Sequence, residues 1–482
     1  MNSEFIARTG RVQSWIDNPD SRLPVSCTII NVSDSMTGPD GIEASWKFVS
    51  HALRGGAGVA VHLSKLRPKG TVTQKGPDQL VASGPCSFGK LYSMLNEILR
   101  RGGTYRNGAV VLTLDFSHED ILEFLEMKRS EIPWAKRCVN INQLMWDNAK
   151  PEVKAALLEG ISKGDIWLAK IRYQMGKRIF SNVCLEVFVE SRGTCLLEHI
   201  NVSMCQIDQL QGAFVEGMID LCELHKETGV GDTGEYRPPN EDRQVGLGML
   251  GLANLLAIEG VTYEEFADAL EDHINYYGDS QHHNCQNPTA LRIVEALDSG
   301  IKAAAQVARQ YNMDRAFAIA PTASCSYRYT DRKGFTTTPE IAPPIGRKVD
   351  RDSETMGVAS FYYGDVQTAE EVGFEVYFRV ANGIMELLNR TGLAHGYSFN
   401  WWSDQMVMSE DFIQQWMDSP QTSLYYALQT KMGAMAKDDA MAALDGQWET
   451  TFNFADLDDS EEEAVDFNAI FNDPTGCVGC AE

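Results

Sequence analysis

Several short stretches of this sequence place thiols where they could do chemistry. In Asn182-Val183-Cys184-Leu185-Glu186, polar and apolar residues alternate. In an extended strand or a hairpin loop, Asn182, Cys184 and Glu186 then point to one side. A thiol, a carboxylate and an amide facing one small ligand suit acid–base work on a hydroxyl. An edge strand with a solvated face and an incidental cysteine gives the same alternation. Cys27, after Ser26, and Cys195, in Gly193-Thr194-Cys195-Leu196, each stand at the edge of a strand-like run. Taken singly, each reads as a small buried hydrophobe. Cys477 and Cys480 close the chain as a CxxC pair, with no second CxxC to complete four zinc ligands. Two thiols on an acidic tail suit thiol–disulfide exchange with a buried disulfide. Adjacent Tyr425 and Tyr426 are ordinary packing residues or, since tyrosine can carry an oxidising equivalent as a neutral radical, a two-step relay.

Such residues need a large scaffold. The 482 residues are 44% hydrophobic and 23% charged, an ordinary globular composition with material for one large core. The formal charge of -25 argues against broad binding to nucleic acid or a membrane surface, because phosphates would be repelled. It leaves room for a small basic pocket, and Arg100, Arg101 and Arg106 cluster among glycines. Eleven scattered cysteines, an odd number, favour reduced thiols over a disulfide framework. No apolar run has the length of a membrane span, and residues 1–10 lack a signal-peptide core, so a cytoplasmic protein is expected.

Apolar, β-branched runs at 27–32, 58–63, 109–116, 139–145, 166–169 and 316–320 predict strands. Helical periodicity marks 42–53, 91–101, 208–225, 242–258, 263–277, 290–311 and 369–389. Thr262 with Glu265 predicts a capping box at the 263 helix. Strand–helix alternation implies parallel pairing with helical crossovers. A barrel and an open doubly wound sheet both fit that pattern. Residues 1–440 are expected to form the catalytic unit, and 441–482 a flexible acidic tail carrying Cys477 and Cys480.

Taken in order along the chain, these motifs resemble the large-subunit family of ribonucleotide reductases. The resemblance rests on Ser26-Cys27 followed by Asp34-Ser35, the 182–186 segment, Cys195, Pro321-Thr322-Ala323-Ser324-Cys325-Ser326, Leu424-Tyr425-Tyr426 and the terminal cysteines. It implies a ten-stranded α/β barrel with Cys184 on a central finger loop. It implies that a Cys184 thiyl radical abstracts the ribose 3′ hydrogen, that Glu186 takes the 3′-hydroxyl proton, and that Asn182 orients the ribose hydroxyls. Cys27 would protonate the departing 2′-hydroxyl, Cys27 and Cys195 would end as a disulfide, and Cys477 and Cys480 would reduce it. Residues 321–326 would cradle substrate phosphates, although Cys325 departs from the small hydroxyl residue usual there. By the same resemblance the 102–108 loop, with Arg106, would report effector identity, Asp34 would hold the effector ribose with Ser35 beside it, and Arg67 would touch its phosphate.

The tyrosine pair favours class I of this family, with Tyr425 next to Cys184 and Tyr426 facing a partner. The partners so implied are a ferritin-like small subunit holding a metal-dependent oxidant, a thioredoxin or glutaredoxin-type reductant, ribonucleotide substrates (diphosphates, as class I favours), and a second copy of this chain. Nucleotide effectors with Mg2+ are the implied small ligands, and no cofactor is expected to be covalently bound in this chain. Cys27 lies too near the start for an ATP-cone, so specificity control without cone-based inhibition is expected, and the compact form is similar to phage-borne versions. The alternative is an adenosylcobalamin-dependent, class II reductase, which needs no relay. A non-enzymatic redox-binding protein and a glycyl-radical lyase fit less well, the last for want of a C-terminal glycine motif.

Overall fold

The computed structural model describes residues 3–17, 19, 24–74, 80–102, 109–228, 230–276, 285–353 and 357–430. Arg106 and most of its glycine-rich loop, the 441–482 tail, Cys477 and Cys480 lie outside the described residues.

Two sheets organise the chain. The first runs Ser423–Leu424, Ile166–Lys170, Lys136–Ile141, Val110–Asp115, Gly58–His62, Cys27–Asn31 in spatial order. All neighbours are parallel except Ser423–Leu424, which pairs antiparallel at the edge. The second runs Ile6–Arg8, Leu197–Asn201, Gln244–Leu250, Arg315–Ile319, Ala394–Tyr397, parallel apart from its first strand. Helices Ile42–Arg54, Gly84–Gly102 and Pro151–Ser162 pack on the first sheet. Leu210–Glu227, Pro288–Gln310 and Phe374–Asn389 pack on the second. With helices over them, Cys27–Asn31, Gly58–His62 and Gln244–Leu250 are buried at every position, as parallel strands should be. Among the described residues no helix is long and apolar enough to cross a membrane.

The sheets meet at two seams. At one, the Cys195 N–H donates to the Cys27 carbonyl (3.0 Å), and the Ser26 N–H donates to the Cys195 carbonyl (3.3 Å). Thr28 and Thr194 form an antiparallel bridge there. At the other, the Ser423 hydroxyl donates to the Tyr397 carbonyl (2.6 Å), a side chain replacing a backbone rung. The strand ladders therefore make two open sheets among the described residues, joined by backbone bonds at the first seam, and the closed ring of ten strands that the resemblance implies is not completed by backbone pairing.

Three expected elements differ. The helix expected at 242–258 is the strand Gln244–Leu250 and then the helix Leu252–Glu259, turned at Gly251 with φ 82°. A continuous apolar run cannot by itself separate a buried strand from a buried helix. Gly246 and Gly248 were the discriminating residues: a Cβ on Gly248 would strike the Ala318 carbonyl oxygen and lie 2.7 Å from His199 Nδ1. The run at 139–145 ends its strand at Ile141, where Asn142 accepts from the Met145 N–H (2.9 Å) and starts the helix Gln143–Asn148. The helix expected over 369–389 breaks at Gly373, φ 80°. The capping box at Thr262 and Glu265 is present, although its helix stops at Asn275. Strands Ile6–Arg8, Leu197–Asn201 and Ala394–Tyr397 were not anticipated, being too short or too polar to show a run.

Gly248 supplies a test of this packing. Gly248→Ala should destabilise the chain by about 1–3 kcal/mol through overpacking between adjacent strands. A urea unfolding midpoint equal to that of the unmodified protein would show that the sheet has slack there.

Candidate active site

The loop carrying Cys184 sits between the sheets. It joins the strands Lys177–Ser181 and Phe188–Val189 of a small antiparallel sheet. On one side His62 Nε2 hydrogen-bonds the Ser181 carbonyl (2.9 Å), and Val183 lies against Gly58. On the other, the Phe188 N–H donates to His395 Nδ1 (3.2 Å). His395 Nε2 faces the Val245 carbonyl (3.0 Å), so the ring must be the neutral Nε2–H tautomer. Burial, with Arg315 and Arg172 nearby, holds it well below the usual histidine range.

Within the loop the Asn182 N–H donates to the Val187 carbonyl (2.9 Å), and the Val187 N–H returns to Asn182 Oδ1 (3.1 Å). Leu185 takes φ 66° to close the turn. Residues 182–186 are thus a tight turn, not an extended strand, yet Asn182 and Glu186 still converge. Asn182 Nδ2 donates to Glu186 Oε1 (2.8 Å) and reaches Cys27 Sγ (3.6 Å). The Ser398 hydroxyl shares its hydrogen between the Cys184 carbonyl (2.6 Å) and Glu186 Oε2 (3.0 Å). Sequence reading missed Ser398, which has no motif and comes from beyond the end of Ala394–Tyr397.

Cys27 and Cys195 come from opposite sheets and their thiols hydrogen-bond to each other. Burial, with Cys27 alongside, pushes the Cys195 thiol well above the ordinary range; Glu186 adds to the rise and Asn182 opposes it. Cys195 is therefore a protonated thiol at neutral pH. Its strand end is held by Asp242, which accepts from the Thr194 N–H (2.8 Å) and hydroxyl (3.1 Å). Burial pushes Asp242 up to about 6. Nothing in the sequence pattern marked this residue.

Tyr425 packs between Trp167 (4.6 Å between ring centres) and Tyr426 (4.7 Å). Tyr426 is 5% exposed, so it presents no open face to a partner in the described chain. Its hydroxyl lies in an interior shared with Asn400, Glu340 and Tyr377, and within electrostatic reach of Cys184.

The 321–326 segment follows the strand Arg315–Ile319 as a bend and a short helix, Ala323–Ser326. Thr322 Oγ1 accepts from the Glu340 N–H (2.8 Å), and the Ser326 hydroxyl donates to the Ala323 carbonyl (2.7 Å). Cys325 points away from any cradle, packing with Ala7 and Leu250 and donating to the Arg8 carbonyl (3.4 Å). Its departure from a hydroxyl residue is thereby explained: the side chain fills a small apolar cluster. Pro321 and Thr322 are buried at the turn. Asp34 and Arg67 come together at the surface, with Arg67 Nε 2.7 Å from Asp34 Oδ2 and the Arg67 N–H donating to Oδ1 (3.2 Å). Ser35 beside them uses its backbone N–H on the Ser33 carbonyl (2.8 Å).

Residues 25–157 match the family model described as the ribonucleotide reductase barrel domain. A vitamin B12-dependent ribonucleoside-diphosphate reductase of Mycobacterium tuberculosis is 27% identical over 311 residues, covering 55% of this chain and 42% of that protein. One from Thermoplasma acidophilum is 34% identical over 106 residues, 22% of this chain and 13% of that protein. The chain thus spans less than half the length of these relatives. The fold is similar to that of the class Id ribonucleotide reductase alpha subunit of Actinobacillus ureae. Its TM-score is 0.60 at 16% identity, over 89% of this chain and 88% of that one.

The thiol pair makes a direct prediction. Diamide treatment of the native chain should join Cys27 to Cys195, read as a linked peptide pair by mass spectrometry. Cys195 should resist iodoacetamide at pH 7.5, because the thiolate is the reactive form and burial suppresses it. Rapid alkylation of Cys195 in the folded chain would contradict the geometry.

Proposed function

We propose that this chain is the catalytic subunit of a ribonucleotide reductase, making 2′-deoxyribonucleotides for DNA synthesis from ribonucleoside diphosphates. The observation that carries the reading is the meeting of Cys27 and Cys195, from opposite sheets, beside the Asn182–Glu186 pair on the loop of Cys184. The barrel-domain match over 25–157 and the similarity of fold support it. On this reading the two sheets are the halves of a ten-stranded α/β barrel, and the 182–187 turn is its finger loop.

Each residue then has a step. A thiyl radical on Cys184 takes the hydrogen atom from ribose C3′, giving a thiol and a carbon radical. Glu186 accepts the 3′-hydroxyl proton while Asn182 holds that carboxylate and the ribose hydroxyls. Cys27 gives its proton to the leaving 2′-hydroxyl, which departs as water. Cys27 and Cys195 become a disulfide: the Cys195 hydrogen goes to C2′, the second electron goes to the 3′ carbonyl, whose oxygen takes its proton back from Glu186, and Cys184 then returns its hydrogen to C3′. A protonated dithiol is what this requires at the start, and burial maintains it at Cys195. Cys477 and Cys480 would reduce the disulfide by exchange and be reduced in turn by a thioredoxin or glutaredoxin-type protein. The backbone N–H groups of 323–325 and the Thr322 hydroxyl hydrogen serve as the phosphate cradle, since the Ser326 N–H and hydroxyl both donate within the chain. Asp34, Ser35, Arg67 and Arg106 form the effector site of a homodimer.

For the radical source we favour class I: a ferritin-like subunit with a metal-dependent oxidant, acting through Tyr426 and Tyr425. The contact of the two rings, and the presence of Cys184 in the surroundings of Tyr426, support this route. The curated relatives favour a second reading, adenosylcobalamin as the radical source, since their names specify vitamin B12.

The two are separated by assaying ribonucleoside diphosphate reduction with the candidate small subunit or with adenosylcobalamin. Class I expects activity only with the subunit, abolished by Tyr426→Phe with nucleotide binding retained. Turnover with adenosylcobalamin alone, indifferent to Tyr426→Phe, would establish the second reading. Under either, Cys184→Ser should eliminate reduction, and Glu186→Gln should slow it about 100-fold or more.

A further inference from the structure

Glu340 has no part in the chemistry above, yet it is among the most confined carboxyls described. It is 6% exposed and adopts φ 40°, a left-handed backbone that a residue with a Cβ rarely takes. Such conformations persist where the surroundings over-determine them, and they gather at functional sites. Its N–H is fixed on Thr322 Oγ1 (2.8 Å). Its carboxyl meets the hydroxyl of Tyr397, which in turn lies 2.8 Å from the hydroxyl of Tyr377. Tyr377 stacks on Trp402 (4.7 Å between ring centres, 9° between planes) and is held in place.

Tyr426 lies in the same interior, with no direct hydrogen bond to either of these hydroxyls among the described residues. Tyr377 and Glu340 both act electrostatically on it, and the Asn400 side chain lies beside its hydroxyl. Glu340 Oε2, Asn400 Oδ1 and the Tyr426 hydroxyl are all buried, and none has a hydrogen-bond partner among the described residues. Buried polar groups are normally paired, so three together need a reason. A polar chamber that holds water, or passes a proton, is one.

We propose that Glu340 is the proton acceptor for Tyr426. When a one-electron oxidant on a partner subunit removes an electron from the Tyr426 ring, the phenolic proton passes through the Tyr377 and Tyr397 hydroxyls, and water between them, to the Glu340 carboxylate. A neutral tyrosyl radical and a neutral carboxylic acid result. When the electron returns, Glu340 gives the proton back. The step needs this partner because an oxidised phenol that keeps its proton would leave a cation in a dry interior, which burial penalises. The inference rests on the class I reading.

Electrostatics gives it a pH signature. Burial pushes Glu340 up to about 8, and the Tyr397 hydroxyl opposes that. The titratable groups that face it are Tyr397 from the Ala394–Tyr397 strand, Tyr377 from the Phe374–Asn389 helix, Tyr263 from the Tyr263–Asn275 helix, and Tyr426. Only the ionised carboxylate can accept, so Tyr426 oxidation should quicken as pH rises through about 8.

The test uses the full chain with its radical-generating subunit, and three variants. Tyr426→Phe should be inactive. Glu340→Gln, which keeps the shape but cannot take the proton, should lower kcat at least tenfold and flatten the rise near pH 8, with KM and nucleotide binding unchanged. Tyr397→Phe should lower kcat to an intermediate level. If Tyr426→Phe is fully active, the relay reading falls and this inference with it. If Tyr426→Phe is inactive while Glu340→Gln keeps the unmodified kcat and pH profile, the relay stands and Glu340 is only structural. Should Glu340→Gln fail to fold, difference infrared spectroscopy on the unmodified complex decides. Oxidation of Tyr426 should convert a buried carboxylate band into a carboxylic acid band, and absence of that change would overturn the proposal.

Discussion

The seam where the Cys195 N–H meets the Cys27 carbonyl is the constraint on which the rest of the molecule turns. Parallel sheets ordinarily grow by adding strands through crossovers, and neither sheet here needs the other to complete its own ladder. The antiparallel bridge at Thr28 and Thr194 joins them, and it does so at the two cysteines. Two thiols are thereby brought together from positions far apart in sequence, with Asp242 holding one flank through Thr194. The Cys184 loop then has a fixed floor, since Asn182 reaches Cys27 as well as Glu186.

Dryness is the second condition. Cys27, Cys184, Cys195, Asn182 and Glu186 are all buried. In such surroundings a thiol stays protonated and a hydrogen bond between ionisable groups gains strength relative to water. The chain carries a formal charge of -25, but charge at its surface is screened over roughly 8 Å at physiological ionic strength and does not set the character of this interior. Local pairing does: the Glu186 carboxylate accepts from the Asn182 amide and the Ser398 hydroxyl.

Much of this was legible from residue types. The alternation at 182–186 put amide and carboxylate on one side, and Asn182 and Glu186 do meet although the backbone is a turn rather than a strand, because Leu185 at φ 66° brings residues four apart face to face. Parallel crossovers followed from strand–helix alternation, and the Thr262 cap from two residues. What escaped was long-range or concealed by composition. Gly246 and Gly248 lay within an apolar run that reads equally as helix. Ser398, His395 and Asp242 serve the site from strand ends and loops that carry no motif. Cys325, taken as a departure within a phosphate cradle, is a packing residue whose role depends on Ala7, over 300 positions away. Whether strands close into a ring is decided at their edges, and one edge here is joined by the Ser423 hydroxyl rather than a ladder. No periodicity encodes that.

The thiol site and the tyrosines are separable in chemistry but not in structure. Cys184, Glu186, Asn182, Cys27 and Cys195 would serve a reductase whatever made its radical, whereas Tyr425 and Tyr426 matter only if an oxidising equivalent arrives from outside. Yet one short segment holds both. Ser398 pins the Cys184 carbonyl and Glu186, and its own N–H is tied to Ile319 (3.1 Å), just ahead of the 321–326 turn. One residue on, the Phe399 carbonyl accepts from the Tyr425 N–H (2.7 Å), and the Trp401 N–H donates to the Tyr426 carbonyl (3.2 Å). Each such bond contributes only about 1 kcal/mol, but a shift of 398–401 strains all of them together. A shift at 321–326, the phosphate cradle of the proposed reading, would therefore be felt at the thiol loop and the tyrosine rings through the same few residues. On the class I proposal, that physical link would let radical transfer depend on an occupied site.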